Sequence, residues 1–170
     1  MHLDPAQTKV EFSVGSTLHT VHGTFKLKSG EVRFDPASGK ASGAIVVAAT
    51  SGDTANDGRD KKMHGKVLES EKFPEIRFTP GQVHGKIAPR GTSEVEVSGV
   101  FRLRGQDHNL TMTVSVEPDA GKQIRATTHF EVPYIKWGLK SPNTFLLKVD
   151  DTVDVEIHAT GQISSETAHN

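Results

Sequence analysis

Apolar and polar residues alternate along most of this chain. Val10, Phe12 and Val14 fall on one face of a segment whose other face carries Lys9, Glu11 and Ser13, the pattern of a half-buried strand. Val21, Gly23, Phe25 and Leu27 repeat it against His22, Thr24, Lys26 and Lys28. The Ser29-Gly30 pair then reads as a turn into Glu31 to Phe34, which predicts a hairpin. After Asp35-Pro36-Ala37-Ser38-Gly39, another turn, Ala41 to Ala49 forms a strand whose Ile45-Val46-Val47 run is apolar on both faces, so a further element is expected to cover it. From Ser93 the alternation is clearest. Val95, Val97, Gly99, Phe101 and Leu103 oppose Glu94, Glu96, Ser98, Arg102 and Arg104; Gly105-Gln106-Asp107 turns the chain; Leu110, Met112, Val114 and Val116 follow. Ile124 to Val132 and Val153 to Ala159 complete the series.

Asp57 to Ser70 departs from the period of two. Met63, Val67 and Leu68 fall at helical spacing, Asp57 and Asp60 stand at the N-cap and third positions, and Phe73-Pro74 ends the run, predicting one short helix. Residues 163–170 read as a frayed tail. No repeat, low-complexity tract or linker marks a second domain, so 1–170 is expected to be one. Eight or more antiparallel strands, each apolar on one face, must close on themselves or pack on a second sheet; barrel and sandwich are the two solutions. The interior of an eight-stranded barrel is just wide enough to be filled by side chains or to hold one ligand. Many inward positions here are Val, Ala, Gly and Thr, and the chain holds eight Phe and one Trp, which leaves room inside. The pattern alone predicts an all-β fold of about eight antiparallel strands with one short helix, either a barrel or a sandwich.

Composition removes several function classes. A chain of 170 residues needs no disulfide or metal to fold. Twenty Lys and Arg stand against 21 Asp and Glu, and no basic run exceeds Lys61-Lys62, so nucleic acid is not an expected partner. Without cysteine there are no disulfides, thiolate metal sites or cysteine nucleophiles, and either redox compartment suits the chain. No stretch approaches the ~18 apolar residues of a membrane span, and residues 1–20 lack the basic start and apolar run of a signal peptide. The opening His2-Leu3-Asp4-Pro5 reads as a chain begun at a cleavage site.

Leu3-Asp4-Pro5, Val10 to Val14, Val21-His22-Gly23-Thr24-Phe25, Arg59-Asp60-x-x-Met63-His64, Val67-Leu68-Glu69-Ser70-x-x-Phe73-Pro74-x-Ile76-x-Phe78 and Val97-Ser98-Gly99-Val100-Phe101 occur in order. Together they resemble the YceI-like, polyisoprenoid-binding proteins, from about residue 3 to residue 161. The chain departs from the commoner pattern at Met63 to Leu68 and at Lys136-Trp137-Gly138-Leu139. The resemblance implies, of the two all-β solutions, the closed antiparallel lipocalin-like β-barrel of about eight strands with one short helix against it, an isoprenoid chain in an apolar pore and no catalysis. It also implies a periplasmic or secreted address, with the cytoplasm left open. No cofactor is expected, no stable membrane insertion, and a homodimer is a possible further partner.

Apolar ligand sites are built from aliphatic and aromatic walls with a few polar groups at one end. Phe12, Phe25, Phe34, Met63, Phe78, Phe101, Leu103, Met112, Phe130 and Trp137 are the wall candidates; ordinary core is the alternative for each. Arg59, beside a helix N-terminus, and His64, one turn after Asp60, are the head-group candidates, with a solvated or structural role as the alternative. The ligand head is therefore expected near the helix and the Trp137 loop. No metal is expected. His19-x-x-His22 would point to opposite strand faces, and Asp53 to His64 fails as a calcium loop because Ala55 and His64 stand where its third and twelfth ligands belong. Glu131, Asp150 and His158 are the remaining candidates for a catalytic group at one barrel end, with solvated strand ends as the expected reading. A general scavenger of small hydrophobic compounds and a filled barrel acting as a stress-associated interaction module are the alternatives to lipid carriage.

Overall fold

The alternating segments become strands that pair antiparallel with their sequence neighbours. The computed structural model describes residues 1–144 and 147–164. Its strands are β1 (His2–Leu3), β2 (Lys9–Gly15), β3 (Thr20–Phe34), β4 (Ala41–Asp53), β5 (Glu75–His84), β6 (Ser93–Leu103), β7 (Gln106–Pro118), β8 (Gln123–Val132) and β9 (Val153–Gln162). Pairing runs in sequence order from β2 to β9, and β9 returns to β2, so the sheet closes. Short β1 occupies the place of β2 lower down, where His2 pairs with both Glu31 and Gln162. The result is a closed eight-position antiparallel barrel that leaves no long edge unpaired.

One end, here the upper, carries the 16–19 turn, the helical segment, the 104–105 turn and the 133–152 loop. At the lower end are the connections 35–40, 85–92 and 119–122. The helix α1 (Asp57–Lys62) continues as a π-helical stretch over Met63–Leu68, and Val67 and Leu68 are buried. Together with Tyr134 and Leu139 these two pack on Phe78, Phe101, Leu103, Met112, Phe130 and Val132 to fill the upper interior. Two smaller clusters sit lower, one around Leu3, Val10, Leu27, Val47 and Ala159, the other around Val83, Val95, Val116 and Ile124.

Local details differ from the sequence reading. Ser29-Gly30 is not a turn, because β3 continues through it with register shifts against β4. Gly30 is there for close approach: a Cβ on it would lie 2.7 Å from the Leu3 side chain of β1. The N-cap is Asn56 rather than Asp57, its side chain accepting from the Arg59 backbone N–H at 2.9 Å. Asp60 instead reaches back to Thr54, accepting from its N–H at 2.9 Å and its hydroxyl at 2.6 Å. Desolvation pushes the Asp60 carboxyl up, but these bonds outweigh it and hold the group below the usual range. Val46 is buried on the outer face between its cross-strand neighbours Ser29 and Arg77. Strand β5 was not among the strands read from the sequence; a bulge between Pro80 and Gln82 breaks its alternation. Ile163, the first residue of the expected tail, donates its N–H to the Lys122 carbonyl at 2.8 Å. Residues 165–170 lie outside the described residues.

Candidate functional site

Below the upper cluster the barrel is hollow. A cavity of about 850 Å³ occupies the lower half, within the size range of small-molecule sites. Its walls follow from strand alternation: Val95 and Val97 from β6, Val114 and Val116 from β7, Ile124 and Ala126 from β8, and Ile157 and Ala159 from β9. Leu27, Ile45, Val47 and Ile76 close the other side. Small and branched residues at these heights leave the volume that large ones would take.

Aromatic side chains make the floor. Phe78, Phe101, Phe130 and Met112 stand where the cavity meets the upper cluster. The Phe101 and Phe130 rings meet edge to face at 6.1 Å, and the Trp137 ring lies 5.7 Å from Phe101 on its far side. His108 stacks flat on Trp137 at 4.1 Å, with its Nε2 buried and unpaired among the described residues.

The upper end is fastened. Lys62 donates to the Pro142 carbonyl at 2.8 Å, joining helix to loop. Glu69 and Arg104 form an ion pair, and that guanidinium holds the Glu69 carboxyl below its ordinary range. Tyr134 donates its hydroxyl to the Asp150 carbonyl at 2.7 Å. Burial pushes this hydroxyl up to about 12, with the nearby Asp151 and Asp150 carboxylates adding to the effect. His64 ties the helical segment to β4 and to Ser70: Nε2 lies 2.8 Å from the Gly52 carbonyl, so it carries the proton when the ring is neutral, and Nδ1 lies 2.9 Å from the Ser70 hydroxyl.

The lower end opens. Glu31, Arg33, Phe34, Asp35, Pro36, Ile87 and Ile163 surround the mouth. Polar side chains in the wall itself are already satisfied. Thr128 donates its hydroxyl to the Thr113 carbonyl at 2.9 Å, and Thr8 accepts from the Thr160 N–H at 3.4 Å. Charge is therefore confined to the mouth, where Arg33 pairs with Glu31 at 2.8 Å.

Of the residues named from the sequence, Phe34, Phe78, Phe101, Met112 and Phe130 line the cavity. Phe12 and Phe25 pair with each other at 5.1 Å above it, over Gly23, where a Cβ would lie 2.3 Å from the Phe12 ring. Met63, Leu103 and Trp137 belong to the upper cluster. Arg59 and His64 sit on the helical segment at the closed end, so the mouth is not beside the helix and the Trp137 loop but at the opposite end. Glu131 pairs in register with Asp154, Asp150 accepts from Tyr134, and His158 lies lower on β9 beside Glu156 at 2.9 Å, so these three do not converge. His19 lies in the 16–19 turn and His22 opposite Ser13 on β3. The small wall residues Val97, Val114, Ala126 and Ile157 were passed over because size rather than strand height guided the choice. Their inward alternation was the available signal. Ile87 and Ile163, on irregular segments, carried none.

Among the described residues no helix is long and apolar enough to cross a membrane. The model of the YceI-like domain family matches residues 1–161. A UPF0312 protein of Vibrio cholerae is 25% identical over 166 residues, covering 92% of this chain and 82% of its own. Among solved structures, BcnA of Burkholderia cenocepacia superimposes with a TM-score of 0.78 at 18% identity, over 94% of this chain and 99% of that one. A polyisoprenoid binding domain from Saccharophagus degradans gives 0.74 at 17% identity, over 96% and 98%. The YCEI protein of Campylobacter jejuni gives 0.65 at 20% identity, over 85% and 86%. These likenesses extend the barrel fold to structures of several bacteria, and the family match spans nearly the whole chain: this protein belongs to the YceI-like domain family.

Proposed function

We propose that the protein binds an isoprenoid-tailed lipid, tail first, in the lower half of the barrel, and carries or sequesters it. The observation that carries this reading is the cavity of about 850 Å³ whose walls are apolar and whose charged groups stand only at the mouth. At the ~30 Å³ that a water-sized heavy atom takes in a liquid, this volume holds roughly 28 atoms, about five to six five-carbon isoprene units. A branched, methyl-studded chain suits a wall of Val, Ile and Ala, and the aromatic floor of Phe78, Phe101 and Phe130 sets its far limit. The polar end would remain beside Glu31 and Arg33, outside the apolar wall. A polyisoprenoid binding domain among the similar folds supports the same ligand class. The cavity counts against the filled-barrel module. This reading assigns no catalysis, and a periplasmic or secreted address goes with it, to be tested by cell fractionation.

Native mass spectrometry of the purified protein, followed by organic extraction, tests the reading. A discrete isoprenoid leaving with the protein is the expected result. A mass that stays apo after incubation with excess polyprenol overturns it. Equal displacement by fatty acids and isoprenoids of matched length would replace it with the general scavenger.

A further inference from the structure

Among the described residues, Leu18, Phe34, Val100 and Ile163 are the large apolar side chains most exposed to solvent. Leu18 stands alone on the upper 16–19 turn and Val100 alone on the outside of β6. Phe34 and Ile163, 38% and 39% exposed, both belong to the cavity mouth. They reach it from different segments, Phe34 from the end of β3 and Ile163 from beyond β9, and Pro36 and Ile87 continue the same rim. Exposed apolar surface is thus gathered where the cavity opens.

Charge around this rim has a consistent direction. The lower connections carry Lys40, Lys86, Arg90 and Lys122, all exposed, against Asp35 and Asp119. Both acids are engaged within their own turns. Asp35 accepts from the Ala37 N–H at 2.9 Å and the Ser38 hydroxyl at 2.9 Å, and these bonds hold its carboxyl below the ordinary range. Asp119 accepts from the Ala120 N–H at 2.7 Å and lies 3.9 Å from Arg125. Lys40 lies close enough to Asp35 to help lower its carboxyl, and the four cations outnumber the two acids on these connections, although the chain as a whole has a formal charge of −1. An apolar rim inside a circle of cations fits a lipid surface bearing anionic headgroups: the rim side chains enter the boundary between headgroups and acyl chains, and the cations meet phosphates.

We infer that the lower rim is a docking surface for an anionic lipid bilayer, through which the cavity exchanges its contents. The inference takes its cargo from the lipid-carrier reading, whereas the docking surface itself rests on the rim. A long apolar chain passing through water would expose its whole length, but through a rim sunk in a bilayer it exposes little. Phe34 is the wedge and Lys40, Lys86, Arg90 and Lys122 the anchors.

The test is flotation of the apo protein with phosphatidylcholine vesicles, with and without phosphatidylglycerol, at low and high salt. Binding is expected on the anionic vesicles and at low salt. Replacing the four cations together by glutamine, at about 1 kcal/mol each, is expected to lower partition by up to about a thousandfold. Phe34→Asp should lower it too, and Leu18→Asp should not. Thermal unfolding confirms that each variant is folded. The four-cation variant should still take up polyprenol from detergent solution. Wild-type protein that fails to float with anionic vesicles at low salt overturns the inference, as does a four-cation variant that floats equally well. Protein that docks through this rim yet never takes up polyprenol overturns the carrier reading and leaves the docking surface standing.

Discussion

Ala126→Phe separates a cavity that measures its ligand from one that merely tolerates it. Ala126 lines the cavity from β8, with Val116 and Ala159 as its cross-strand neighbours, so an added ring points into open space between small side chains. Phenylalanine adds six carbons to alanine, which at ~30 Å³ per heavy atom removes about 180 Å³ of the 850 Å³ present, slightly more than one isoprene unit. No existing contact is lost and an apolar ring fills an apolar hole, so the melting temperature should hold or rise. Ligand binding should fall, but only for chains long enough to need the lost space. Displacing about five carbons at ~0.8 kcal/mol each costs at most about 4 kcal/mol, and less where the displaced carbons find the apolar rim instead of water. The expected loss is between about tenfold and a thousandfold for chains of roughly six units, and none for roughly three. Competitive displacement of a polarity-sensitive fluorophore by polyprenols of graded length measures it, alongside thermal unfolding. A loss equal at every length would refute the reasoning. So would unchanged affinity for the long chains, or a fall of many degrees in melting temperature showing that the ring found no room.

Three further outcomes are expected. His64→Ala leaves the Gly52 carbonyl and the buried Ser70 hydroxyl without their partner, and should cost about 1–3 kcal/mol in chemical denaturation while leaving polyprenol affinity unchanged. A loss of affinity there would return the head group to the helix end. Gly23→Ala sets a Cβ 2.3 Å from the Phe12 ring tip, and is expected to destabilise by about 1–3 kcal/mol through overpacking; a neutral result in the same assay would mean that the Phe12 and Phe25 pair moves freely. Tyr134 titrates at about 12 when folded and near 10.0 otherwise. The unfolded chain therefore releases this proton first, so the stability tied to it is present below pH 10 and declines as pH rises toward the folded value. Tyr134→Phe should remove that part of the alkaline decline, and a denaturation series through this range with parallel slopes for both proteins would contradict it.

A period of two made the antiparallel all-β meander legible, and the family resemblance chose barrel over sandwich. From β6 to β9 the alternation survives nearly intact, and the inward faces read from it are those that meet inside. Where it failed, backbone irregularity was the cause. Gly30 serves the approach of Leu3 instead of a turn, and the bulge at Pro80 to Gln82 shifts β5 out of phase. The cavity was harder. Alternation says whether a residue points inward but not how high in the barrel it stands, and height decides between core and cavity. Phe12, Phe25, Leu103 and Trp137 do point or pack inward, yet they stand at heights that the helix and the 133–152 loop fill. Choosing wall residues by size selected the floor, the upper cluster above it and, in Phe34, one residue of the mouth. Space persists where side chains are small, so Val97, Val114 and Ala126 mark the open middle of the cavity, whereas Phe78, Phe101 and Phe130 mark only its end.

Asymmetry between the two ends then decides what selectivity such a barrel can have. The upper end is covered by two long segments joined to each other and to the sheet through Lys62 and Pro142, Glu69 and Arg104, and His64 with Gly52. The lower end has the shorter 35–40, 85–92 and 119–122 connections and keeps its charges at the mouth. Opening the upper end would cost several hydrogen bonds and a packed aromatic layer, whereas the lower route is already open. On the carrier reading a ligand therefore enters and leaves by one door, tail leading inward and head leading outward. The wall hydroxyls of Thr8 and Thr128 are already bonded to backbone groups, so on that reading the deep cavity would sort chains by length and shape. On the same reading head-group chemistry is met only at the mouth, beside Glu31 and Arg33, while the bilayer would meet Phe34 and the surrounding cations, so a substitution among those cations can change exchange with the bilayer without changing which tails fit.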